Sequence, residues 1–225
     1  MTRRLIAPLL FGLIGAGILV GLGVWQLQRL HWKEGLLAQI DARITAAPVA
    51  LPADPDPATD KYLPVTVSGR LTARELDVLT SRKNIGPGYR IVTAMVTADG
   101  RRIMVDRGFL PENRKDSPRP PEEVTVTGNL HWPDETDAFT PPPDPKANLW
   151  FARDVPAMAR ALGTDPVLVV ARKVEGDRSK IEPMPVDTSG VPNNHRNYAI
   201  TWFSLAVVWL GMTGLLLWRI TRRKD

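Results

Sequence analysis

The stretch LIAPLLFGLIGAGILVGLGVWQL, residues 5–27, contains no charged side chain, and neither does YAITWFSLAVVWLGMTGLLLW, residues 198–218. A helix needs about 20 predominantly apolar residues to cross a hydrocarbon core of roughly 30 Å. Both stretches reach that length, so each predicts a transmembrane helix, one toward either end of the chain. A cleaved leader is the competing reading of the first, because Arg3 and Arg4 precede it. A leader's apolar region is shorter, about 7–15 residues, and closes on small residues. This run instead empties into Trp25-Gln26-Leu27-Gln28-Arg29-Leu30-His31-Trp32-Lys33, which favours a retained anchor.

Basic residues flanking a span tend to stay on the cytoplasmic side. Arg3, Arg4, Arg219, Arg222, Arg223 and Lys224 flank the outer ends of the two stretches, against Arg29, Lys33 and Arg196 on the inner ends. Both chain ends are therefore expected inside. The predicted partition is a cytoplasmic N-terminus at 1–4, a helix at 5–27, an extracytoplasmic domain at 28–197, a second helix at 198–218 and a basic cytoplasmic tail at 219–225. Nothing resembling a mitochondrial presequence precedes the first span, so the expected location is a bacterial inner membrane with the central domain in the periplasm.

Residues 30–195 carry 21 Lys/Arg and 23 Asp/Glu, so the net charge of +5 comes from the chain ends. Nucleic-acid binding requires a basic excess on a folded surface. The expected partner is the lipid bilayer, with no nucleic acid. Cysteine is absent, which excludes disulfides, thiolate nucleophiles and thiolate metal sites.

Past the first span, Leu30, Leu36, Leu37, Ile40 and Ile44 recur at helical spacing among charged residues, so the helix is expected to continue until Pro48. From Tyr62 onward, short Val/Ile/Thr-rich runs separated by Gly, Pro or Asp predict strands at 63–71, 75–81, 89–97, 101–109, 124–131 and 167–174. Asp99-Gly100 between the third and fourth marks a hairpin turn. A helix is expected over 154–162, with Asp154 as cap, Pro156 early and Gly163 as stop. The fold class is thus α+β: two antiparallel transmembrane helices at the chain ends and a mostly antiparallel β-sheet extracytoplasmic domain with one or two helices.

Enzymatic motifs are missing: there is no Gly-x-Ser-x-Gly elbow, no His-Glu-x-x-His helix and no phosphate-binding glycine loop. A non-catalytic role is expected. Asp106, beside Arg107, reads either as a general base or as a satisfied polar residue at a strand end. His31 and His131 each precede a tryptophan and read as surface or interfacial residues. His195 differs, standing three residues before the second apolar stretch. If the helix includes it, His195, Tyr198, Trp202, Leu205 and Trp209 share one face. An imidazole at the water boundary above aromatic side chains suits an amphiphilic planar ligand, of which haem is the obvious example, His195 being the ligand to its iron. Arg29 and Arg196 would then hold its propionates. The competing reading is an ordinary interfacial aromatic belt. Gly17-x-x-x-Gly21 in the first span would permit close approach of a partner helix.

Five segments in order carry a family likeness. They are Leu22-Gly23-Val24-Trp25-Gln26 with Arg29-Leu30 and Trp32-Lys33; Gly88-Tyr89-Arg90-Ile91-Val92-Thr93; Val105-Asp106-Arg107-Gly108-Phe109-Leu110-Pro111; Asn148-Leu149-Trp150-Phe151 with Asp154; and Asn193-Asn194-His195 with Tyr198-Ala199-Ile200-Thr201-Trp202-Phe203. In these the chain resembles the Surfeit locus (Shy-type) family of cytochrome c oxidase assembly factors. It departs from the family at Asp106 and Phe109, where Asn and Trp are common, and at Arg196-Asn197. The resemblance implies a part in maturing haem-copper oxidases. Its implied cofactor is haem a, and its implied partners are the oxidase catalytic subunit and haem a synthase. The alternative is a scaffold that holds an assembly intermediate without touching haem.

Overall fold

The structure, a computed structural model, describes residues 3–222, with side chains from Leu5 onward. Arg223 and Lys224, and the side chains of Arg3 and Arg4, which entered the orientation argument, lie outside the described residues. Two compact units are resolved: Met1–Gln39 with Thr188–Asp225, and Ile40–Asp187.

The first unit is built on helix α1 (Arg3–Thr45) up to Gln39 and helix α4 (His195–Arg222); the last residues of α1, from Ile40, and α2 (Pro57–Asp60) and α3 (Val155–Leu162) belong to the second unit. Both long helices have the length and apolarity needed to cross a membrane. The expected continuation of the first helix beyond residue 27 is present without a break, giving a rod of about 65 Å at 1.5 Å per residue. In α4, Tyr198 and Trp218 are separated by about 30 Å on the same rise, the thickness of a hydrocarbon core. The Arg222 guanidinium lies 4.3 Å from the Trp218 ring centroid, a pairing suited to the headgroup layer.

In the second unit, β2 (Pro64–Arg82) pairs antiparallel with β3 (Gly86–Thr97) and, through residues 64–70, with β5 (Glu123–Leu130). β3 pairs with β4 (Arg102–Pro111), β4 with β7 (Leu168–Glu175), and β7 with β5. The circuit β2-β3-β4-β7-β5-β2 therefore closes a five-stranded barrel. Two-residue strands β1 (Val49–Ala50) and β6 (Leu149–Trp150) lie alongside β2.

The expectation of a mostly antiparallel sheet is corrected to a mixed one. β1 and β6 run parallel to β2, and β7 runs parallel to β4. β4 and β7 are not joined by a hairpin: the chain returns through β5 and α3, and such crossovers deliver parallel neighbours. The strands expected at 63–71 and 75–81 are one strand with a register shift between Leu71 and Glu75. Thr72-Ala73-Arg74 contains neither Gly nor Pro, so the chain bulges instead of turning, and Thr72 Oγ1 donates to the Ala94 carbonyl at 2.9 Å. The hairpin at Asp99-Gly100 is present, with Gly100 at φ +86°. So is α3, where Asp154 accepts from the Ala157 N–H at 3.0 Å and Gly163 closes the helix at φ +67°.

Alternation sorts the core into two layers. Val65, Val67, Ile103, Val105, Val124, Val126, Val169 and Ala171 fill the barrel. Val78, Val92, Ala94, Met104, Leu168 and Val170 face outward against Met158 and Leu162 of α3 and Trp150. Within this unit, Asn129 Nδ2 and Arg172 Nη1 donate to the Ile44 carbonyl in the last turn of α1 at 2.9 and 3.1 Å. These donors satisfy one of the carbonyls that a helix C-terminus leaves without a partner.

Asp106 is fully buried and satisfied, as the second of its two readings has it, but it lies in the middle of β4 and not at a strand end. Arg90 Nη1 and Arg153 Nη1 donate to its Oδ2 at 2.6 and 3.0 Å, and the Gly108 N–H donates to Oδ1 at 3.1 Å. Arg153 also forks onto Glu135. Gly108 sits at φ +115°, and a Cβ there would fall 2.1 Å from the Glu182 carbonyl oxygen.

His31 is exposed as expected, whereas His131 is partly withdrawn from water and stacked on Tyr62, with centroids 5.4 Å apart. Burial, reinforced by the positive charge of Arg153, lowers its pKa from 6.5 to about 4. Below about pH 6.5 the unfolded chain takes up a proton here that the folded chain refuses until about pH 4, so this residue removes stability as pH falls through that window. His131→Phe is expected to reduce the loss of urea resistance between neutral pH and about pH 4. An identical pH dependence in the variant would show that His131 does not contribute.

Candidate functional site

The helix α4 starts at His195, the condition under which the imidazole joins the aromatic face. Pro192 cannot donate to a helix, and the Asn194 carbonyl accepts the first helical bond, from Tyr198 N–H at 3.2 Å. Lys33 Nζ donates to the Pro192 carbonyl and ties this start to α1.

Below it, α4 meets α1 along a seam of small residues. Ala16, Ala199 and Ala206 are buried. A Cβ on Gly12 would fall 2.2 Å from Thr213, on Gly15 2.5 Å from Trp209, and on Gly23 2.7 Å from Phe203. Nothing lies within 4 Å of the position a Cβ would take on Gly17 or Gly21, so the pair singled out by its spacing is not the close-approach site. The Trp209 indole N–H donates to the Gly12 carbonyl at 3.0 Å, satisfying a donor that lipid cannot.

The candidate site residue that sequence reasoning left without a role is Gln26. Its side chain is buried at the seam, with Oε1 2.7 Å from His195 Nδ1. A carbonyl oxygen only accepts, so Nδ1 is the donor in this bond; in the neutral ring Nε2 then keeps its lone pair, the arrangement by which an outer partner orients a metal-binding histidine. The signal was present in the sequence: Gln26 is the one amide in the charge-free run 5–27.

The other predicted site residues are distributed around this pair. Trp202 lies seven residues after His195, partly buried on the same side. Tyr198 is 55 % exposed and flanks the seam instead of facing α1. Arg196 is exposed beside the histidine. Arg29, one turn past Gln26, is exposed and places its guanidinium 4.6 Å from the Trp32 ring centroid.

No group of three or more His, Cys, Asp or Glu gathers to hold a metal ion among the described residues. One oriented imidazole can supply a single coordination position, so a metal bound there must bring its remaining ligands with it. A planar macrocycle does so, and the flanking indole, phenol and guanidinium groups suit its apolar faces and acidic edge.

The SURF1 family model matches residues 13–207. Surfeit locus protein 1 of Rattus norvegicus is 31 % identical over 212 residues, covering 82 % of this chain and 67 % of the relative. That of Homo sapiens is 31 % identical over 214 residues, with 83 % and 69 % covered. A SURF1-like protein of Drosophila melanogaster is 32 % identical over 230 residues, with 91 % and 76 % covered.

Proposed function

Since this chain belongs to the SURF1 family, we propose that it is a membrane-anchored, non-catalytic assembly factor for haem-copper oxidases, which carries haem a on His195 and passes it to the oxidase catalytic subunit. The observation that carries this reading is the bond between His195 Nδ1 and Gln26 Oε1. It fixes the tautomer that leaves Nε2 available to iron, and it does so at the end of an apolar helix pair, where an amphiphilic ligand would rest.

The iron and its redox chemistry belong to the cofactor; the protein supplies capture, orientation and release. His195 would hold the iron through its Nε2. Trp202 and Tyr198 offer apolar cover, and Arg29 and Arg196 are the cations for the propionates. A single protein ligand at a helix start would suit a group that is to be handed on, because few bonds to the protein would have to be given up. Haem a synthase is the partner that would supply the ligand. The proposed setting is a bacterial inner membrane with residues 28–197 in the periplasm, supported by Arg219 and Arg222 at one end of α4. A reporter fused within that segment is expected to be active only outside the cytoplasm.

Protein purified in detergent from cells that make haem a is expected to show a Soret band that His195→Ala removes. Gln26→Leu, which keeps the ligand but not its orienting acceptor, is expected to weaken haem affinity about tenfold or more. A folded His195→Ala variant with an unchanged spectrum would remove this residue from the site and leave a tethering role.

A further inference from the structure

The first unit contains an apolar cavity of about 310 Å³ well below His195, lined by Pro8 and Phe11 of α1 and by Trp209, Met212, Thr213 and Leu216 of α4. Its volume falls at the lower end of the range of small-ligand pockets. It is joined to the histidine by two adjacent strips of side chains. His195, Trp202, Trp209 and Leu216 follow one another at intervals of seven residues, as do Tyr198, Leu205 and Met212. Positions seven apart fall almost under one another on a helix, drifting by about 20° per heptad, and positions three apart are neighbours. Tyr198, Leu205 and Met212 are all exposed along the flank of the seam. On α1, Trp25, Ile18 and Phe11 repeat at the same interval, are likewise exposed, and end at the same cavity.

We infer that this groove, running from His195 to the cavity between Phe11 and Trp209, binds the isoprenoid tail of a farnesylated haem, an inference that rests on the haem-carrier reading above. Haem a differs from protohaem in carrying a chain of three isoprene units on the macrocycle edge. From His195 to Trp209 the helix descends about 21 Å, a distance that the radius of the macrocycle plus the extended tail spans. The walls suit a branched, unsaturated chain. Trp209 is fixed by its bond to the Gly12 carbonyl and tilts against Phe11 with centroids 5.2 Å apart, while Met212 is flexible and polarisable enough to fill around methyl branches. The tail thereby gives the protein a way to tell the oxidase cofactor from protohaem without contacting the polar edge of the ring.

The experiment compares haem o with haem b, which lacks the farnesyl chain, by Soret titration of the detergent-purified full chain. The wild type is expected to bind haem o at least tenfold more tightly. Met212→Trp, which fills the cavity from an exposed position, is expected to reduce haem o affinity to the haem b level without changing haem b. Val207→Trp, also on an exposed position of α4 but away from the cavity, should leave both unchanged. Equal affinities in the wild type, or a preference that survives Met212→Trp, would overturn the tail site and leave the groove to bilayer acyl chains. Failure to bind either haem with His195 intact would overturn the carrier reading itself.

Discussion

Asp106→Ala is expected to cost the Ile40–Asp187 unit about 3–5 kcal/mol, the range for removing one partner of a buried ion pair, which is a large share of the roughly 5–15 kcal/mol that holds a domain together. The carboxylate is fully buried and accepts from Arg90, Arg153 and the Gly108 N–H. Its loss leaves the side-chain surroundings of Arg90 and Arg153, 14 % and 9 % exposed, without their shared countercharge. It also frees the irregularity of β4 at Gly108, whose φ of +115° is held partly by the bond to Oδ1. Asp106→Asn keeps the shape and one acceptor oxygen and should cost less. Urea unfolding followed by far-ultraviolet circular dichroism measures both, and a midpoint for the alanine variant within error of the parent would show that the network does not stabilise the barrel.

Gly23→Leu is expected to abolish haem binding as completely as loss of His195, although Gly23 contacts no ligand. A Cβ at this position would fall 2.7 Å from the Phe203 ring, so a leucine must push α1 and α4 apart. Gln26 lies three residues further along the same helix, and its 2.7 Å bond to His195 is made across the seam being opened. Hydrogen bonds weaken steeply with stretching and misalignment, so a displacement of an ångström or two ends this one. Gly17→Leu and Gly21→Leu, which meet nothing, are the matched controls and should bind haem normally. Because the chain has no cysteine, spin labels can be placed uniquely at exposed positions 14 and 207 to read the helix separation directly. Unchanged separation and normal haem affinity in Gly23→Leu would refute the argument.

These two cases also show where the sequence was sufficient and where it was not. The two long helices, the extension of the first, the Asp99-Gly100 turn and the helix capped by Asp154 each rest on local chemistry, and local chemistry is written in consecutive residues. The start of α4 at His195, three residues before the expected 198, was raised by the sequence only as a condition. Barrel closure was not, because it depends on residues 64–70 choosing β5 as a second neighbour far along the chain. The strands β1 and β6 are two residues long and leave no periodic trace. The true seam was hidden by redundancy: Gly12, Gly15, Gly17, Gly21 and Gly23 share one helix, and only the facing residues of α4 decide which of them must be small. Gln26 acquires its meaning from His195, 169 positions away.

A chain without cysteine can draw no staple from sulfur, whatever the redox state of its surroundings. This one fastens its loops with guanidinium forks instead: Arg107 on Asp177, Arg119 on Glu75, and Arg153 on Asp106 and Glu135. Such clasps form as the chain collapses and need no oxidant, no isomerase and no proofreading of partners. A domain closed in this way can mature equally well whether electron acceptors are plentiful or scarce.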